Sequence, residues 1–327
     1  MKKRFLKANM VMALTLLLSI NTVSFASAET INNDDIYKKY VSIDLQDTVL
    51  TVNNNTVEIE AKDNLSRTAV LDKELLKGIL SENNSAEEEI ISAINNGNEI
   101  VGISVTEHYV EEITNVETGE VTSTLLTNRE VDELSNEKPR ASINAGETGG
   151  KGKLTLTSLL VSDASLVGIP RTYALSTTAN WDVSGYNSDG AISPAVGEDF
   201  IGLTWPSSYD YNGTSGATGW NNKNVAIDFY RTSVVGNAGV VWSFEDKFAT
   251  DYAFIAAERM SAYAQIEYKS SAVEGYKTFT ASYIHTYDTK KGGISIGASS
   301  SGVSGGFSLS NVDKQWTAIS PLTVKIR

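Results

Sequence analysis

The pattern of hydrophobic and polar positions changes along the chain. In residues 29–140, short alternating runs are mixed with runs in which apolar residues recur at helical spacing. This part of the pattern predicts a hairpin over 49–61, helices over 71–80 and 85–97, and strands over 100–113 and 121–126. We therefore expect a small α+β domain in this half of the chain.

Residues 154–327 are dominated by β-branched and aromatic residues that alternate with polar ones, and Gly- or Asn-containing turns separate the runs. About ten short strands with regular turns predict an antiparallel β-sandwich or jelly roll. The expected fold class is thus mostly β, with the sandwich preceded by the α+β domain. One segment of this half, 251–260, has alanines at helical spacing and is predicted to be a short helix.

The segment 132–153 separates these two patterns. It lacks apolar periodicity and contains Pro139 and a run that is rich in glycine, 146–152. Such a composition is typical of a flexible connection. The predicted organisation is therefore an acidic α+β domain over 29–131, a linker over 132–153 and a β-sandwich over 154–327. The linker could also be a pro-segment junction.

Charge and aromatic content divide the chain at the same place. Residues 29–140 carry a net charge of −15, whereas residues 141–327 carry −2. All five tryptophans and 21 of the 25 glycines lie in the second half. The overall charge of −13 opposes binding to nucleic acid, because phosphate must be neutralised by basic surface.

The first 28 residues have the features of a secretory signal peptide. Four basic residues precede an apolar run from Met10 to Ile20, and Ala26-Ser27-Ala28 fits the rule for cleavage. The run is shorter than the roughly 20 apolar residues that cross a bilayer. We therefore predict a secreted, extracellular protein whose mature chain starts at Glu29.

The residue inventory excludes several kinds of chemistry. Without cysteine there is no disulfide, thiol nucleophile or zinc–thiolate site. With only His108 and His285, a multi-histidine metal centre is not expected. No metal site and no cofactor are predicted.

Four short strings occur in a characteristic order: Gly197-Glu198-Asp199-Phe200-Ile201, Val240-Val241-Trp242-Ser243-Phe244-Glu245-Asp246, Tyr283-Ile284-His285-Thr286-Tyr287 and Lys314-Gln315-Trp316. In this order they resemble secreted β-rich proteins of Gram-positive bacteria that have no assigned function. The resemblance covers residues 150–327. It implies an extracellular β domain and brings no catalytic residues with it.

The segment 205–220 is the first candidate for a binding site. It is polar, rich in Gly and Ser, and carries Trp205, Tyr209, Tyr211 and Trp220. Exposed aromatic residues on the loops of a sandwich stack on sugar rings and anchor protein interfaces. These four residues are therefore predicted to contact a cell-wall glycan or a surface protein. The alternative is that Trp205 and Trp220 pack in the core.

The segment 292–310 is the second candidate. Apolar residues alternate with Ser and Gly on both sides of Ser301-Gly302, as in a hairpin that inserts into a membrane. Each arm is shorter than the roughly 9–11 residues of a spanning strand. An ordinary surface hairpin has the same pattern, so both interpretations remain open.

Enzyme chemistry is the third alternative. A glycan hydrolase needs two facing carboxylates, and Glu198, Asp199, Glu245 and Asp246 are the candidates. His285 alternates with apolar residues on one strand face, which is typical of a hydrogen-bonded core histidine. The leading hypothesis is a non-enzymatic extracellular binding or surface protein; a pore-forming toxin or bacteriocin-like protein, and a glycan-directed hydrolase, are the alternatives. A membrane is a predicted partner only for the pore-forming protein.

Overall fold

The computed structural model describes residues 36–45, 48–53, 56–61, 77–78, 80, 84–115, 117–136, 147–162, 172–182, 197–221, 225–245, 247–250, 253–269, 274–287 and 292–326. Within these ranges, Ile36–Arg327 forms one compact unit. In chain order its elements are β1 (Lys39–Asp44), β2 (Thr48–Asn53), β3 (Thr56–Ala61), α1 (Asn84–Asn95), β4 (Glu99–Asn115), β5 (Val121–Leu125), α2 (Asn128–Asn136), β6 (Glu147–Ser162), β7 (Thr172–Asp182), β8 (Glu198–Thr204), β9 (Tyr209–Asn221), β10 (Phe229–Val235), β11 (Gly239–Glu245), β12 (Lys247–Thr250), β13 (Ala253–Tyr268), β14 (Gly275–Thr286), β15 (Gly293–Ile296), β16 (Phe307–Ser310) and β17 (Gln315–Ile326).

Two antiparallel sheets pack face to face. Sheet A has the order β1-β4-β6-β7-β13-β12, with β5 also paired to β4 and β9 also paired to β13. Sheet B has the order β10-β11-β8-β14-β17. The predicted fold class, a mostly β protein with an antiparallel sandwich, is confirmed.

The core between the sheets follows from the alternation of side chains along each strand. On β14, Phe279, Ala281 and Tyr283 point inward and are buried, and on β13 Met260 and Ala262 do the same from the opposite sheet. Because successive side chains of a strand face opposite sides, the residues between them lie on the outer faces. Both sheets are therefore amphipathic, and each outer face carries a second layer.

The second layer of sheet A is formed by α1 and the β2–β3 hairpin. Ile90 and Ile91 of α1 pack with Ile103 and Val105 of β4 and with Leu159 of β6. The predicted hairpin over 49–61 and the predicted helix over 85–97 are confirmed by these elements. The helix ends where expected, because Gly97 adopts a φ of 75° that other residues rarely take.

The two ends of the predicted linker over 132–153 have regular structure. Residues 132–136 belong to α2, residues 147–153 form the first part of β6, which pairs with β4 from Asn115 to Tyr109, and residues 137–146 lie outside the described residues. A glycine-rich strand has few side chains to reveal it, and here the partner strand supplies the hydrogen bonds that fix the backbone. Sheet A consequently joins strands from both predicted domains.

Two further elements differ from the sequence-based expectation. The segment predicted as a helix at 251–260 begins β13, and the polar segment after Trp205 is β9, which pairs with β13 from Asn221 to Tyr209. In both cases long-range pairing overrides the local pattern. The predicted signal peptide, 1–28, and most of the predicted helix 71–80 lie outside the described residues.

Among the described residues, neither helix is long and apolar enough to span a lipid bilayer.

Candidate functional site

The aromatic residues of 205–220 do not form an exposed loop. Trp205 and Tyr209 are fully buried. The Trp205 indole donates a hydrogen bond to the carbonyl of Gly236 at 3.2 Å, and the Tyr209 ring packs against the rings of Tyr173 and Phe279. The expectation that this segment presents Tyr209 to solvent is therefore wrong, because β9 places Tyr209 on the inner face of sheet A.

Tyr211 and Trp220 occupy different environments. Tyr211 is half-buried, stacks on Trp205 and contacts the Ser215 hydroxyl at 2.7 Å. Trp220, at the far end of β9, is 42% exposed. The structure therefore does not bring the four predicted residues together, and Trp220 instead lies on the same outer face as Tyr263 of β13, which is 43% exposed.

The segment 292–310, called hairpin 292–310 below, is built around one register. β15 pairs with β16 from Gly293↔Ser310 to Ile296↔Phe307. Beyond these strands, the Gly297 N–H donates to the Gly306 carbonyl at 2.7 Å and the Ser300 N–H donates to the Val303 carbonyl at 3.0 Å. All of these pairs share the same register, which places a two-residue turn at Ser301-Gly302.

This register separates the side chains into two faces. Residues that face each other across a hairpin lie on the same side of it. One side carries Ile294, Ile296, Ala298, Ser300, Val303, Gly305, Phe307 and Leu309; the other carries Gly293, Ser295, Gly297, Ser299, Ser304, Gly306, Ser308 and Ser310. Hairpin 292–310 is therefore largely apolar on one face, with Ser300 and Gly305 near its tip, and bears only serine and glycine on the other.

The part of the apolar face that carries Phe307 and Leu309 is buried on the outer face of sheet B. Phe307 and Leu309 pack against Phe200 of β8, Val241 of β11 and Ile284 of β14. Gly202 makes room for them, because a Cβ at this position would lie 2.8 Å from Cδ1 of Phe307 and closer still to Cε1. We call Phe200, Gly202, Val241 and Ile284 the socket.

Polar contacts hold the tip of the hairpin. The Thr280 and Ser304 hydroxyls are 2.6 Å apart, and the Thr204 hydroxyl donates to the Gly305 carbonyl at 2.8 Å. The buried Lys277 ammonium donates to the carbonyl of Ser301 at 2.8 Å. Near the tip the hairpin is twisted, so that Ser304 faces sheet B while Val303 is 55% exposed.

The hairpin is folded back over the strands from which it arises. β14 and β17 pair as far as Thr286↔Gln315, and the Tyr287 N–H donates to the Lys314 carbonyl at 3.1 Å. Hairpin 292–310 connects these two paired ends. Its tip lies beside Thr278 and Thr280, near the start of β14, so it runs back along sheet B in the direction opposite to the β14–β17 pair.

A buried polar cluster lies where β14 ends. The Asp199 carboxylate on β8 accepts hydrogen bonds from the Tyr283 hydroxyl and, at 2.9 Å, from the Thr286 N–H. His285 places Nδ1 3.0 Å from Asp199 Oδ2 and Nε2 3.3 Å from Glu112 Oε2. We call His285, Asp199, Glu112 and Tyr283 the His285 cluster. The prediction that His285 is a hydrogen-bonded core residue is confirmed.

The geometry does not assemble the candidate hydrolase carboxylates in a cleft. Asp199 is fully buried among the side chains of the His285 cluster, so a substrate cannot reach it. Glu198 lies opposite Glu245 on the neighbouring strand, and Asp246 lies outside the described residues. Within the described ranges, no three His, Asp or Glu side chains are arranged to hold a metal ion.

Sequence reasoning did not identify several of these residues. Gly202, Lys277 and Thr280 belong to no recognisable motif, because each contacts a segment that lies about 20 to 100 positions further along the chain and approaches it only in the fold. Nothing in the sequence distinguishes Glu112 from the other acidic residues of the first half.

Comparison with known proteins adds little to this geometry. No family model and no curated protein sequence matches the chain. Among solved structures, Clostridium perfringens delta-toxin is similar over 68% of this chain and 90% of its own, with a TM-score of 0.28 and 8% identity. A pore forming protein gives a TM-score of 0.26 at 10% identity, over 69% of this chain and 95% of its own. The C-terminal domain of the Streptococcus agalactiae AgI/II polypeptide BspA gives 0.25 at 7% identity, over 70% of this chain and 93% of its own. Likenesses at this level carry no argument about function.

Proposed function

We propose that the protein permeabilises membranes by inserting hairpin 292–310 into the bilayer. The observation that carries this proposal is the separation of the two faces of the hairpin, one largely apolar and one made of serine and glycine. A strand pair that spans a membrane needs such faces, because one side meets lipid and the other meets water or protein. In the closed form the socket covers Phe307 and Leu309 of the apolar face and keeps them from solvent.

The length of the hairpin fits this role when its base is included. The arms 293–300 and 303–310 have eight residues each. Eight residues extend about 27 Å along a strand at about 3.4 Å per residue, fewer than the roughly 9–11 residues of a tilted spanning strand, so residues of the β14–β17 base must complete the span. Because the hairpin connects the paired ends of β14 and β17, unfolding it outward would continue from an existing strand pair, across a two-residue shift between the two registers.

Insertion requires several copies of the chain. A single hairpin in lipid would leave the backbone groups of both edges without hydrogen bonds, and each such group costs several kcal/mol. A closed barrel of hairpins from several chains removes these edges. The proposed active form is therefore an oligomer, delivered outside the cell by the predicted signal peptide.

A disulfide tether tests the proposal, and the absence of native cysteine makes the test clean. Thr280→Cys with Ser304→Cys joins the hairpin to sheet B, since the native hydroxyls are 2.6 Å apart and thiols there are within reach of a disulfide. The matched control is Thr278→Cys with Thr323→Cys, whose hydroxyls are 2.9 Å apart and which joins two strands inside sheet B.

The readout is release of calcein from phosphatidylcholine vesicles. Oxidation of the tethered variant should slow leakage by about tenfold or more, and dithiothreitol should restore it, because the closed state is then locked. The control should leak equally in both states. Undiminished leakage by the oxidised tether would show that the hairpin need not move, and absence of leakage by the wild type would overturn the proposed function.

A second candidate function rests on the exposed pair Trp220 and Tyr263. The Tyr263 ring lies across β9, where a Cβ at Gly216 would be 2.9 Å from its Cε1. Exposed Trp and Tyr rings of this kind serve as platforms for sugars and as anchors in interfaces. A surface-binding role with a cell-wall glycan or surface protein as partner is supported by this pair, not by Trp205 and Tyr209.

Retention on peptidoglycan tests that role. Trp220→Ala combined with Tyr263→Ala should abolish retention while changing stability by only about 0.5 kcal/mol, as for surface positions generally. Tyr276→Ala, at a residue that is 69% exposed, is the control and should bind normally. Equal retention of all three proteins would exclude this surface as the binding site.

A further inference from the structure

The outer face of sheet A has a covered half and an open half. α1 and the β2–β3 hairpin pack on β4 and β6, around Ile103, Val105 and Leu159. On β9 and β13 the same side of the sheet carries Trp220 and Tyr263, which are 42% and 43% exposed. We call the outer side of β7, β13 and β9 the open face.

The register of the three strands arranges the side chains of the open face in rows. Residues that face each other across a strand pair lie on the same side of the sheet, and so do residues two positions apart along a strand. Three rows result: Asn180, Arg259 and Trp220; Thr178, Ser261 and Thr218; Ser176, Tyr263 and Gly216. The first and last rows thus carry an aromatic ring each, with hydroxyl groups between them.

Gly216 provides the space in which the Tyr263 ring lies. A Cβ at this position would lie 2.9 Å from Cε1 of Tyr263 and 3.4 Å from both Cζ and the hydroxyl oxygen. Any side chain at position 216 would therefore push the ring away from β9. With glycine there, the ring lies across β9 and is accessible from solvent.

Hydrogen bonds orient the polar groups of the open face. The hydroxyl oxygens of Thr178 and Ser261 are 2.9 Å apart. The Asn212 amide donates to Oε1 of Gln265 at 3.2 Å, so the N–H groups of the Gln265 amide stay available as donors. Thr218 is exposed opposite Ser261. The open face therefore offers donors and acceptors at defined positions.

The three rows of the open face carry no net charge, although the chain as a whole carries −13. The one ionised side chain in the rows is Arg259, whose Nη1 lies 3.4 Å from Oε2 of Glu88 on α1. Because this pair neutralises itself, an ionised ligand would find no free counter-charge, and an uncharged ligand matches the surface better.

Sugars fit this combination of groups better than a protein does. A pyranose ring stacks its C–H groups on an aromatic ring and exchanges hydrogen bonds with hydroxyl and amide groups. A protein partner needs an apolar centre in the interface, and Ser and Thr are under-represented among the residues that dominate protein binding. The open face has two separate rings with Ser and Thr between them, which favours the sugar.

The spacing of the two rings sets the length of the ligand. Trp220 lies opposite Arg259, four positions before Tyr263 on β13. Four positions correspond to about 14 Å along a strand, a distance that one sugar ring cannot bridge. Both rings lie along β9, so a ligand that contacts both has several sugar units in an extended line.

We propose that the open face binds an extended, uncharged oligosaccharide. The rings of Trp220 and Tyr263 are the two stacking platforms, the hydroxyls of Ser261 and Thr218 bind sugar hydroxyls between them, and Gly216 positions the Tyr263 ring. The proposal rests on the surface-binding function given above as the second candidate, and it names the ligand of that function. It is independent of the membrane function, which concerns sheet B.

Isothermal titration calorimetry of the mature chain, 29–327, tests the proposal without a membrane. The ligands are chitohexaose and cellohexaose, which are extended and uncharged, and maltohexaose, which is uncharged but curved. At least one extended ligand should bind with a Kd of about 1 mM or below. Maltohexaose should bind about tenfold more weakly, because a curved chain cannot contact both rings.

Variants assign the binding to the open face. Trp220→Ala and Tyr263→Ala should each weaken binding by about tenfold. Tyr263→Phe should bind as the wild type does, because stacking uses the ring and not the hydroxyl. Gly216→Ala should weaken binding by displacing the ring, whereas Gly306→Ala, which has room for a Cβ on hairpin 292–310, is the matched control and should bind normally.

Two outcomes separate this proposal from the function on which it rests. If neither extended ligand binds but peptidoglycan retains the wild type through Trp220 and Tyr263, the oligosaccharide is overturned and the surface-binding function remains, with a protein or a charged component as its partner. If an extended ligand binds but peptidoglycan retains nothing, the oligosaccharide site is supported and the cell wall is overturned as its location.

Two further outcomes would overturn parts of the assignment itself. Equal binding by the wild type, Trp220→Ala and Tyr263→Ala would place the sugar elsewhere on the molecule and overturn the open face as its site. Equal binding of maltohexaose and the extended ligands would overturn the requirement for an extended chain. Melts that match the wild type, as expected for substitutions at surface positions, show that a loss of binding is not a loss of folding.

Discussion

The two histidines of the chain lie in different surroundings inside the sandwich. His285 has a carboxylate on each side, whereas His108 is buried near the charge of Lys38 and the backbone of Tyr37. Burial disfavours the charged imidazolium because charge is poorly solvated there, and the Lys38 charge acts in the same direction, so the pKa of His108 is lowered. His108 is therefore neutral at pH 7.

This difference predicts a pH-dependent stability that can be assigned to His108. Its folded-state pKa of about 4 lies below the ordinary value of 6.5, so the unfolded chain takes up the proton first as the pH falls. Stability is complete above about pH 6.5 and declines toward pH 4. The expected loss from this residue between pH 7 and pH 5 is about 2 kcal/mol.

Urea unfolding of the wild type and of His108→Leu at pH 7 and pH 5 measures the effect. Leucine suits the site, since Leu154 of β6 is the neighbouring residue across the strand pair and is buried. The variant should lose about 2 kcal/mol less than the wild type between the two pH values. Equal losses in both proteins would mean that His108 titrates normally.

At the scale of elements, hairpin 292–310 depends on the shape of its socket. Gly202 lacks the side chain that would collide with Phe307, while Gly306 on the Ser/Gly face has nothing within 4 Å of an added Cβ. An added methyl group therefore has no room at Gly202 but is accommodated at Gly306. The socket leaves room for the ring of Phe307 only because position 202 carries no side chain.

This contrast gives a matched pair of substitutions. Gly202→Ala should displace Phe307, lower the free energy of unfolding by roughly 1–3 kcal/mol, and speed calcein release, because the closed state is weakened. Gly306→Ala should change neither quantity. A Gly202→Ala protein with normal stability and normal leakage would show that the Phe307 contact does not hold the hairpin closed.

The pairing of β6 predicts resistance to proteolysis where a flexible connection would be cut. Lys151 and Lys153 lie in a glycine-rich stretch, yet they sit in a paired strand and contact Glu111 at 3.3 Å and Glu107 at 3.5 Å. Proteases require an extended segment free of its partners. Trypsin should therefore not cut the native protein after Lys151 or Lys153.

Mass spectrometry of the digest checks this expectation, and the same digest in urea shows that both sites are cleaved once the chain unfolds. Early native cleavage at Lys151 would mean that the first part of β6 is not held by β4.

At the scale of the whole molecule, the N-terminal half completes the C-terminal sandwich. β6 pairs with β4 over residues 147–162, and β1 covers the free edge of β17. Three side chains of β1 make hydrogen bonds to the β17 backbone: Tyr40 to the Pro321 carbonyl, Ser42 from the Thr323 N–H and Asp44 from the Lys325 N–H. These contacts protect an edge that would otherwise be free to pair with other chains.

The fragment 150–327 should therefore not fold as an independent domain. It would leave β6 without β4, expose Leu159 and Val161, and free the edge of β17. We expect aggregation or a melt without cooperativity, whereas 29–327 should unfold in one transition. Circular dichroism melts of the two proteins check this, and a cooperative β-type melt of the fragment would contradict it.

The sequence by itself determined the type of most elements. Alternating runs located β7, β11, β14 and β17, the turn and helix signals located β2–β3 and α1, and His285 was expected in the core. It also determined the Ser/Gly and apolar alternation of 292–310. These features follow from local periodicity, which depends on a few neighbouring residues.

Only the tertiary structure decided which segments pair and which faces are covered. β9 and the first part of β6 have strand geometry because β13 and β4 bind them, and their polar, glycine-rich sequences lack the alternation that would show it. The same long-range pairing buried Trp205 and Tyr209, brought Glu112 to His285 and laid hairpin 292–310 on its socket. The physical reason is that backbone hydrogen bonds between strands carry no side-chain signature, so pairing partners far apart in the chain are fixed only when the whole core assembles.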